Sequence, residues 1–275
     1  MDANQILQII TDFLGEYITP YLISDYQGDP FVLFDLFHLA ALGGITLAIL
    51  LIIISRNKFY RKNKENFRDT VAAILIINEI SWHTWAYFYD EWTIQKMLPL
   101  HICSILVWLS ALMLIKKSYK LYEFVYFLGI GGALQALLTP DAGIYGFPHF
   151  RFFQTFISHG FIIIAAIYMT VIEKMSPTWK SLLRVFVITN IYLAVVFGIN
   201  TLIGSNYLYL NHKPPTASLL DLLPDWPVYL LYMEALGIAT CLLLYLPFFI
   251  KDTWSKLRDE AALKRAGGTR LDDFR

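Results

Sequence analysis

The chain has 275 residues, of which 57% are hydrophobic and 16% charged, and its formal net charge is zero. Apolar residues at this level, arranged in long runs, exclude an ordinary soluble domain and predict a polytopic helical membrane protein. Nothing in the sequence indicates nucleic-acid binding.

Residues 1–30 contain no Lys or Arg. Ile6, Ile10, Phe13 and Tyr17 recur at helical spacing, which predicts a short amphipathic helix lying on the membrane surface. The segment also lacks the basic start of a cleaved signal peptide. We therefore expect an extracellular N-terminal segment with an interfacial helix.

Seven apolar stretches follow, each long enough, or nearly so, to cross a hydrocarbon core of about 30 Å at 1.5 Å per residue. They cover residues 31–54, 70–89, 98–115, 121–139, 152–172, 181–203 and 227–250. The predicted fold is all-α, a seven-transmembrane-helix bundle over residues 31–250. A basic cytoplasmic tail, residues 251–275, completes the chain.

The basic residues predict the orientation of this bundle. Under the seven-span arrangement, 19 of the 22 Lys and Arg residues face one side, and only Lys96, Arg151 and Lys213 face the other. By the positive-inside rule, the N-terminus lies outside and the C-terminus in the cytoplasm.

Polar residues inside the predicted spans concentrate in the outer half of the membrane. Ionisable groups at such depth cost about 2.5–3.5 kcal/mol each on insertion scales, so they usually face a cavity or one another. They predict an outward-facing polar pocket; the alternative is a set of interhelical hydrogen bonds that only holds the bundle together. The residues are Asp35, His38, Asn78, Glu79, His83, His101, Cys103, Ser104, Gln135, Thr139, Gln154, Ser158, His159, Asn200, Thr201 and Glu234.

The stretch LPLHICS places a thiol, Cys103, about five residues, or roughly 8 Å, below the start of its helix. The helix dipole favours a thiolate there. His101 lies two residues away and points to a different face, so a general base is expected from another helix, either His159 or His83. A cysteine in a membrane is more often a small apolar filler, and Cys241, with apolar neighbours, is expected to be one.

Two further polar features lie at the predicted outer surface. Arg151 and His149 follow the fourth span, where a guanidinium either holds a lipid phosphate or only extends toward water. The loop of residues 205–226 has the length of many lids.

Four motifs resemble a known family. LPLHICS, LYEFVYFLGIGGALQALLTPD, GFPHFRFFQTFISHG and NYLYLNHKPPTASLLDLLP resemble the YwaF family of bacterial integral membrane proteins. That family is distantly similar to a eukaryotic family of acyltransferases that builds ether phospholipids through a Cys and a His. The resemblance implies a bacterial plasma membrane, Cys103 as nucleophile and His159 as its partner.

The first functional hypothesis is a CoA-independent phospholipid transacylase that needs no cofactor and takes a phospholipid and a lysophospholipid as partners. Cys103 would carry the acyl group as a thioester. Donors to the oxyanion are expected among His101, Ser104, Gln135 and Asn200. The predicted catalytic residues are Cys103, His159, His101, His83 and Glu79. The predicted substrate-binding residues are Arg151, His149, Gln135, Asn200, Glu234 and Ser104.

Two alternatives remain open from the sequence. A zinc-dependent lipid hydrolase would draw its ligands from several histidines and acids, although no HExxH-type pair supports it. Its candidate ligands are His38, His83, His101, His159, Glu79 and Asp35. A non-catalytic receptor, transporter or lipid-binding protein is the third possibility.

Overall fold

The computed structural model describes residues 3–59, 61–213 and 219–265, which form helices and connecting loops without any strand. The helices are α1 (Ala3–Phe13), α2 (Leu36–Ile54), α3 (Arg61–Phe88), α4 (Ile102–Lys116), α5 (Tyr119–Phe124), α6 (Ile130–Leu138), α7 (Phe150–Val171), α8 (Trp179–Ile203) and α9 (Val228–Arg265). A π-helical turn, Val125–Gly129, joins α5 to α6 into one continuous helix.

Helices occupy each of the seven predicted spans. Five of them, within the part of the chain described, are long and apolar enough to cross a membrane: Leu36–Lys58, Tyr119–Leu138, Phe150–Val171, Trp179–Ile203 and Val228–Ala262. Helix α3 falls outside this set because its first half is highly charged, and α4 because it has only 15 residues. The protein is therefore an all-helical, multi-pass membrane protein.

Helix α7 is the centre of the bundle: 72% of the residues in its most apolar stretch are buried, and it packs against α2, α3, α4 and α6. Helix α3 runs antiparallel to it over its whole length. Arg68 bonds Glu173 just past one end of α7, Asn78 bonds Ser158 near the middle, and the Trp85 ring lies 6.1 Å from that of Phe150 at the other end. The peripheral helices α8 and α9 expose long apolar surfaces, as lipid contact requires.

Capping residues explain where the central helices begin. The Asp35 carboxylate accepts from the His38 amide at the start of α2, and the His149 Nδ1 accepts from the Arg151 amide at the start of α7. Thr178 and Ser181 form a reciprocal capping box at the start of α8. Such caps satisfy amides that have no partner within the helix.

The N-terminal segment is attached to the bundle by three consecutive carbonyls. Those of Leu22, Ile23 and Ser24 accept from the Trp85 indole, the His149 ring and the Tyr145 hydroxyl. Upstream, α1 forms where the amphipathic pattern predicts it, and the side chains of Ile6 and Phe13 are exposed. The side chain of Ile10 lies outside the described part of the structure. The position of α1 on a membrane surface stays a prediction. At the other terminus, α9 continues to Arg265 through most of the predicted basic tail, whose last ten residues lie outside the described part.

Candidate functional site

A cavity of about 230 Å³ lies where α3, α4, α6 and α7 meet, near the first turns of α4 and α7; we call this end of the bundle the Cys103 end. Five of the predicted site residues line it. They are Glu79, Cys103, Ser104, Arg151 and His159. The fold therefore brings a thiol, an imidazole, a carboxylate and a guanidinium, from three different helices, to one cavity.

Cys103 is the second residue of α4, after the N-cap residue His101. Its thiol is partly exposed and rests against Gly132 of α6: a Cβ at position 132 would lie 3.8 Å from the sulfur. The neighbouring Gly131 serves packing, because a Cβ there would lie only 2.9 Å from Thr240 of α9. The small residue at position 132 thus lets α6 pack closely beside the thiol without a side chain between them.

Helix α7 fixes the protonation pattern of His159. Its Nδ1 lies 2.8 Å from the carbonyl oxygen of Thr155, one turn earlier. A carbonyl only accepts, so Nδ1 carries the hydrogen and donates it. In the neutral ring, Nε2 therefore holds a lone pair, as a general base requires.

The opposite tautomer is fixed at His83. The Trp92 indole nitrogen, which can only donate, lies 3.1 Å from the His83 Nδ1. The hydrogen of neutral His83 is therefore on Nε2, which lies 3.6 Å from the Glu79 Oε1. The predicted Glu79–His83 pair is present, and within it His83 directs an N–H group toward the buried Glu79 carboxylate.

Arg151 lies across the Trp82 ring, with the guanidinium carbon 3.5 Å from the ring centroid. Its Nη1 donates to the Gln154 side-chain oxygen. Beneath this pair, the Ser158 hydroxyl accepts from Asn78 at 2.7 Å and from Gln154 at 3.3 Å. The guanidinium is thus held by one hydrogen bond and one ring contact, and its fork retains further N–H groups for an anion.

Two predicted residues hold loops beside the cavity and do not line it. His101 contacts the rings of Tyr207 and Tyr209, and its Nδ1 accepts from the Leu208 amide at 3.4 Å. Asn200 is fully buried: its Oδ1 accepts from Ser205 and from the amide of Tyr207, and its Nδ2 donates to the Tyr207 carbonyl.

The other predicted residues also lie away from the cavity lining. His149 is fully buried; it donates to Ile23, and burial, aided by the positive charge of Arg151, lowers its pKa. Gln135 is exposed on α6. Glu234 accepts from Asn190 of α8 at 2.9 Å, on the periphery of the bundle.

Six lining residues carry no individual signal in the sequence as site residues: Trp82, Val107, Ala136, Pro140, Asp141 and Thr155. Trp82 lies three residues after Glu79 and therefore shares its helix face. Thr155 contributes through its carbonyl, which any residue type supplies. Helical spacing from Glu79 was the one signal that would have identified Trp82.

The described residues contain no group of three His, Cys, Asp or Glu side chains placed to hold a metal ion. His38, one of the candidate zinc ligands, uses both ring nitrogens elsewhere: Nδ1 accepts from the Phe34 amide and Nε2 donates to the Leu137 carbonyl. The zinc hypothesis therefore finds no ligand set in this part of the chain.

Comparison with known proteins corrects the family suggested by the motifs. No curated protein and no solved structure shows significant similarity to the chain. The sequence profile of the TMEM164 family matches residues 33–245, which cover most of the chain. The assignment to the bacterial YwaF family was therefore wrong, and the bacterial plasma membrane that it implied has no support, because TMEM164 is a eukaryotic family. The chain belongs to the TMEM164 family of transmembrane proteins.

Proposed function

We propose that the protein is a membrane phospholipid acyltransferase that works through an acyl-thioester on Cys103. One observation carries the proposal: the Cys103 thiol and the His159 ring line the same cavity, and the Thr155 carbonyl leaves the His159 Nε2 able to accept a proton. A base beside a thiol generates the thiolate, which is the reactive nucleophile.

In the first half-reaction, the His159 Nε2 takes the thiol proton while the Cys103 sulfur attacks the carbonyl carbon of a phospholipid ester. The tetrahedral intermediate collapses with cleavage of the C–O bond, and the departing lysophospholipid oxygen takes the proton back from His159. In the second half-reaction, a lysophospholipid hydroxyl gives its proton to His159 and attacks the thioester carbonyl. The C–S bond breaks, and the sulfur recovers the proton.

The first turn of α4 supplies donors for the tetrahedral oxyanion. Its first amides have no partner within the helix, and the side chain of the N-cap residue His101 makes no capping bond to them. The amides of Cys103 and Ser104 are thus next to the reacting sulfur, where removal of one such donor costs about 10²–10³ in rate. Of the side chains predicted for this role, that of Ser104 lines the cavity.

Seven helices cross the membrane in this proposal, with the N-terminus outside. Support for the count beyond the five long apolar helices comes from α3, which lies along the membrane-spanning α7 from end to end, and from the apolar helix α4, which packs against both. Support for the orientation comes from the concentration of Lys and Arg in loops at the end opposite the cavity. The acyl group then comes from a phospholipid of the outer leaflet, because acyl-CoA is confined to the cytosol.

The cavity volume suits part of a phospholipid. At about 230 Å³ it is smaller than the roughly 300–1,000 Å³ of typical ligand pockets. It holds the ester and glycerol region beside Cys103, while the acyl chains remain among the exposed apolar faces of the helices. Arg151 is positioned for the phosphate of the same lipid, because a guanidinium binds phosphate through two parallel hydrogen bonds.

The experiment is acyl transfer in vesicles that contain a phospholipid with a labelled acyl chain and an unlabelled lysophospholipid, without CoA. We expect transfer by the wild-type protein, none by Cys103→Ala, and full transfer by Cys241→Ala, since Cys241 lies on α9 away from the cavity lining. Mass spectrometry of the wild type should find an acyl adduct on Cys103 that hydroxylamine removes. Transfer retained by Cys103→Ala, or lipid binding without turnover, refutes the proposal.

A further inference from the structure

A second and larger cavity, about 420 Å³, lies at the other end of α3, α4 and α7. We call this end of the bundle the basic end. Its lining comes from the loop before α3, from the first turns of α3, and from the residues that follow α4 and α7. It consists of Phe59, Lys64, Glu65, Arg68, Lys117 and Glu173.

Arg68 forms the floor of this cavity and is 6% exposed. Its Nη1 lies 2.7 Å from the Glu173 Oε1, and its Nε donates to the Leu114 carbonyl at 3.1 Å. The guanidinium therefore has a fixed orientation, joining α3 to the ends of both α4 and α7. A buried guanidinium held in this way is preorganised for an anion that accepts through oxygen atoms, such as a phosphate group.

Glu173 is shared between two cations. Its Oε1 pairs with Arg68, and its Oε2 lies 3.3 Å from the ammonium of Lys117. Lys117 ends α4 in a left-handed backbone conformation with φ of 50°, which turns the chain at this cavity. One carboxylate thus faces two full positive charges.

Lys64 adds a third cation. Its ammonium donates to the Ile172 carbonyl at 3.3 Å. Because a carbonyl group has no net charge, this contact does not neutralise the charge of Lys64. Two cations on α3 and one at the end of α4 therefore line the cavity. Against the two lining carboxylates, Glu65 and Glu173, they leave one net positive charge beside a space large enough for a tetrahedral anion.

We propose that this cavity binds a phosphate group, carried either by a lipid headgroup at the adjacent membrane surface or by a soluble molecule. Phosphate carries up to two negative charges and accepts from several donors at once, as the cations of this cavity offer. Basic pockets between transmembrane helices at the cytoplasmic face bind phosphorylated headgroups in this way. The proposal does not depend on the acyltransferase activity.

The bound phosphate would link α3 to the end of α4, two of the helices that carry site residues at the Cys103 end. It would also compete with Glu173 for Arg68 and Lys117, because the Glu173 carboxylate already pairs with both of these cations. This competition gives the site a diagnostic property: removal of the Glu173 charge should tighten phosphate binding, whereas removal of a lysine charge should weaken it.

The test uses the full chain in a nonionic detergent and a fluorescent short-chain phosphatidylinositol 4-phosphate as the probe, with inorganic phosphate as competitor. The double variant Lys64→Gln/Lys117→Gln removes two lining charges. Its matched control, Lys62→Gln/Lys116→Gln, removes two exposed charges close by in the chain that do not line the cavity. Each variant is first checked for an unchanged elution volume and melting temperature.

Loss of charge-assisted hydrogen bonds should weaken probe binding by about tenfold or more in the lining variant. The control should bind within about twofold of the wild type, because exposed charges that do not contact the bound group contribute little in water. Glu173→Gln should bind more tightly than the wild type. Displacement of the probe by inorganic phosphate identifies the phosphate group alone as sufficient; lack of displacement assigns the site to the intact headgroup. No binding by the wild type, or equal weakening in both double variants, overturns the proposal.

Discussion

The assignment of the general base is tested by His159→Gln. General-base assistance contributes about 10²–10⁴-fold to a rate, which corresponds to about 2.7–5.4 kcal/mol at 1.36 kcal/mol per factor of ten. The structural cost of the substitution is small, because His159 makes one hydrogen bond, to the Thr155 carbonyl, worth about 1 kcal/mol. We therefore expect a folded protein with at least a hundredfold slower acyl transfer.

The matched control is His83→Gln. His83 is also an imidazole near the cavity, but the Trp92 indole occupies its Nδ1, and its Nε2–H faces Glu79. Neither nitrogen is able to accept the thiol proton in this arrangement, so we expect less than about a tenfold change in rate.

The assay measures initial rates of acyl transfer between phospholipid and lysophospholipid over a range of pH, with the melting temperature recorded for each variant. Without His159, the thiolate forms only by reaction with hydroxide, so the residual rate should rise about tenfold per pH unit in alkaline buffer. A large loss in His83→Gln together with near-normal transfer by His159→Gln would refute the assignment of the base.

Three further substitutions probe the surroundings of the site. Gly132→Val should slow alkylation of Cys103 by a lipophilic maleimide, because the new Cβ would lie 3.8 Å from the sulfur and the methyl carbons would extend about 1.5 Å farther. Unchanged alkylation would show that the thiol is approached from another side. Glu123→Gln should lower the free energy of unfolding by about 1–3 kcal/mol, because the buried carboxylate accepts from Ser181 and twice from Arg184; an unchanged melting temperature would contradict this. Asn200→Ala should increase proteolysis within residues 205–210, whose backbone its side chain holds, without abolishing acyl transfer; complete loss of transfer would place Asn200 in the reaction itself.

The helices were predictable because apolar runs of this length have few alternatives. The predicted intervals 121–139 and 152–172 became helices at Tyr119–Leu138 and Phe150–Val171, a difference of one or two residues at each end. Depth follows from such intervals at 1.5 Å per residue. For this reason the sequence placed Cys103 and His159 on different helices, but the predicted depth of Cys103 was wrong: α4 begins at Ile102, so Cys103 is its second residue and not about five residues below its start.

Rotation about the helix axis was harder to predict than depth. A helix that is apolar on all sides gives no amphipathic signal to show which face points inward. Gln135 and Glu234 have suitable depths, yet one is exposed on α6 and the other meets Asn190 at the periphery. His101 faces the loop at Tyr207, away from Cys103 as expected, but it is the N-cap residue with an extended backbone, so helical rotation is not the reason.

Contacts across distant parts of the chain were beyond reach from the sequence. The tautomer of His83 depends on Trp92, a loop residue whose position is set by tertiary packing. The role of Arg68 depends on Glu173, 105 positions away. The family resemblance was also wrong. It was based on four separate motifs, and the family profile over residues 33–245 corrected it.

The interior between the two cavities limits where the proposed acyl exchange would take place. His159 lies near the middle of α7 and Glu173 just past its end, 14 positions apart, so the Cys103 cavity and the basic cavity are separated by about 21 Å along the helix axis. Fully buried side chains such as Leu75, Leu106 and Met113 fill this space, and close-packed cores leave few voids larger than a water molecule. An acyl donor that reaches only the basic end therefore has no route to the Cys103 sulfur, whereas a phospholipid at the Cys103 end meets the thiol directly. Under the proposed function and orientation, donor and acceptor then enter from the same leaflet, which favours exchange between two lipids over transfer from a cytosolic thioester.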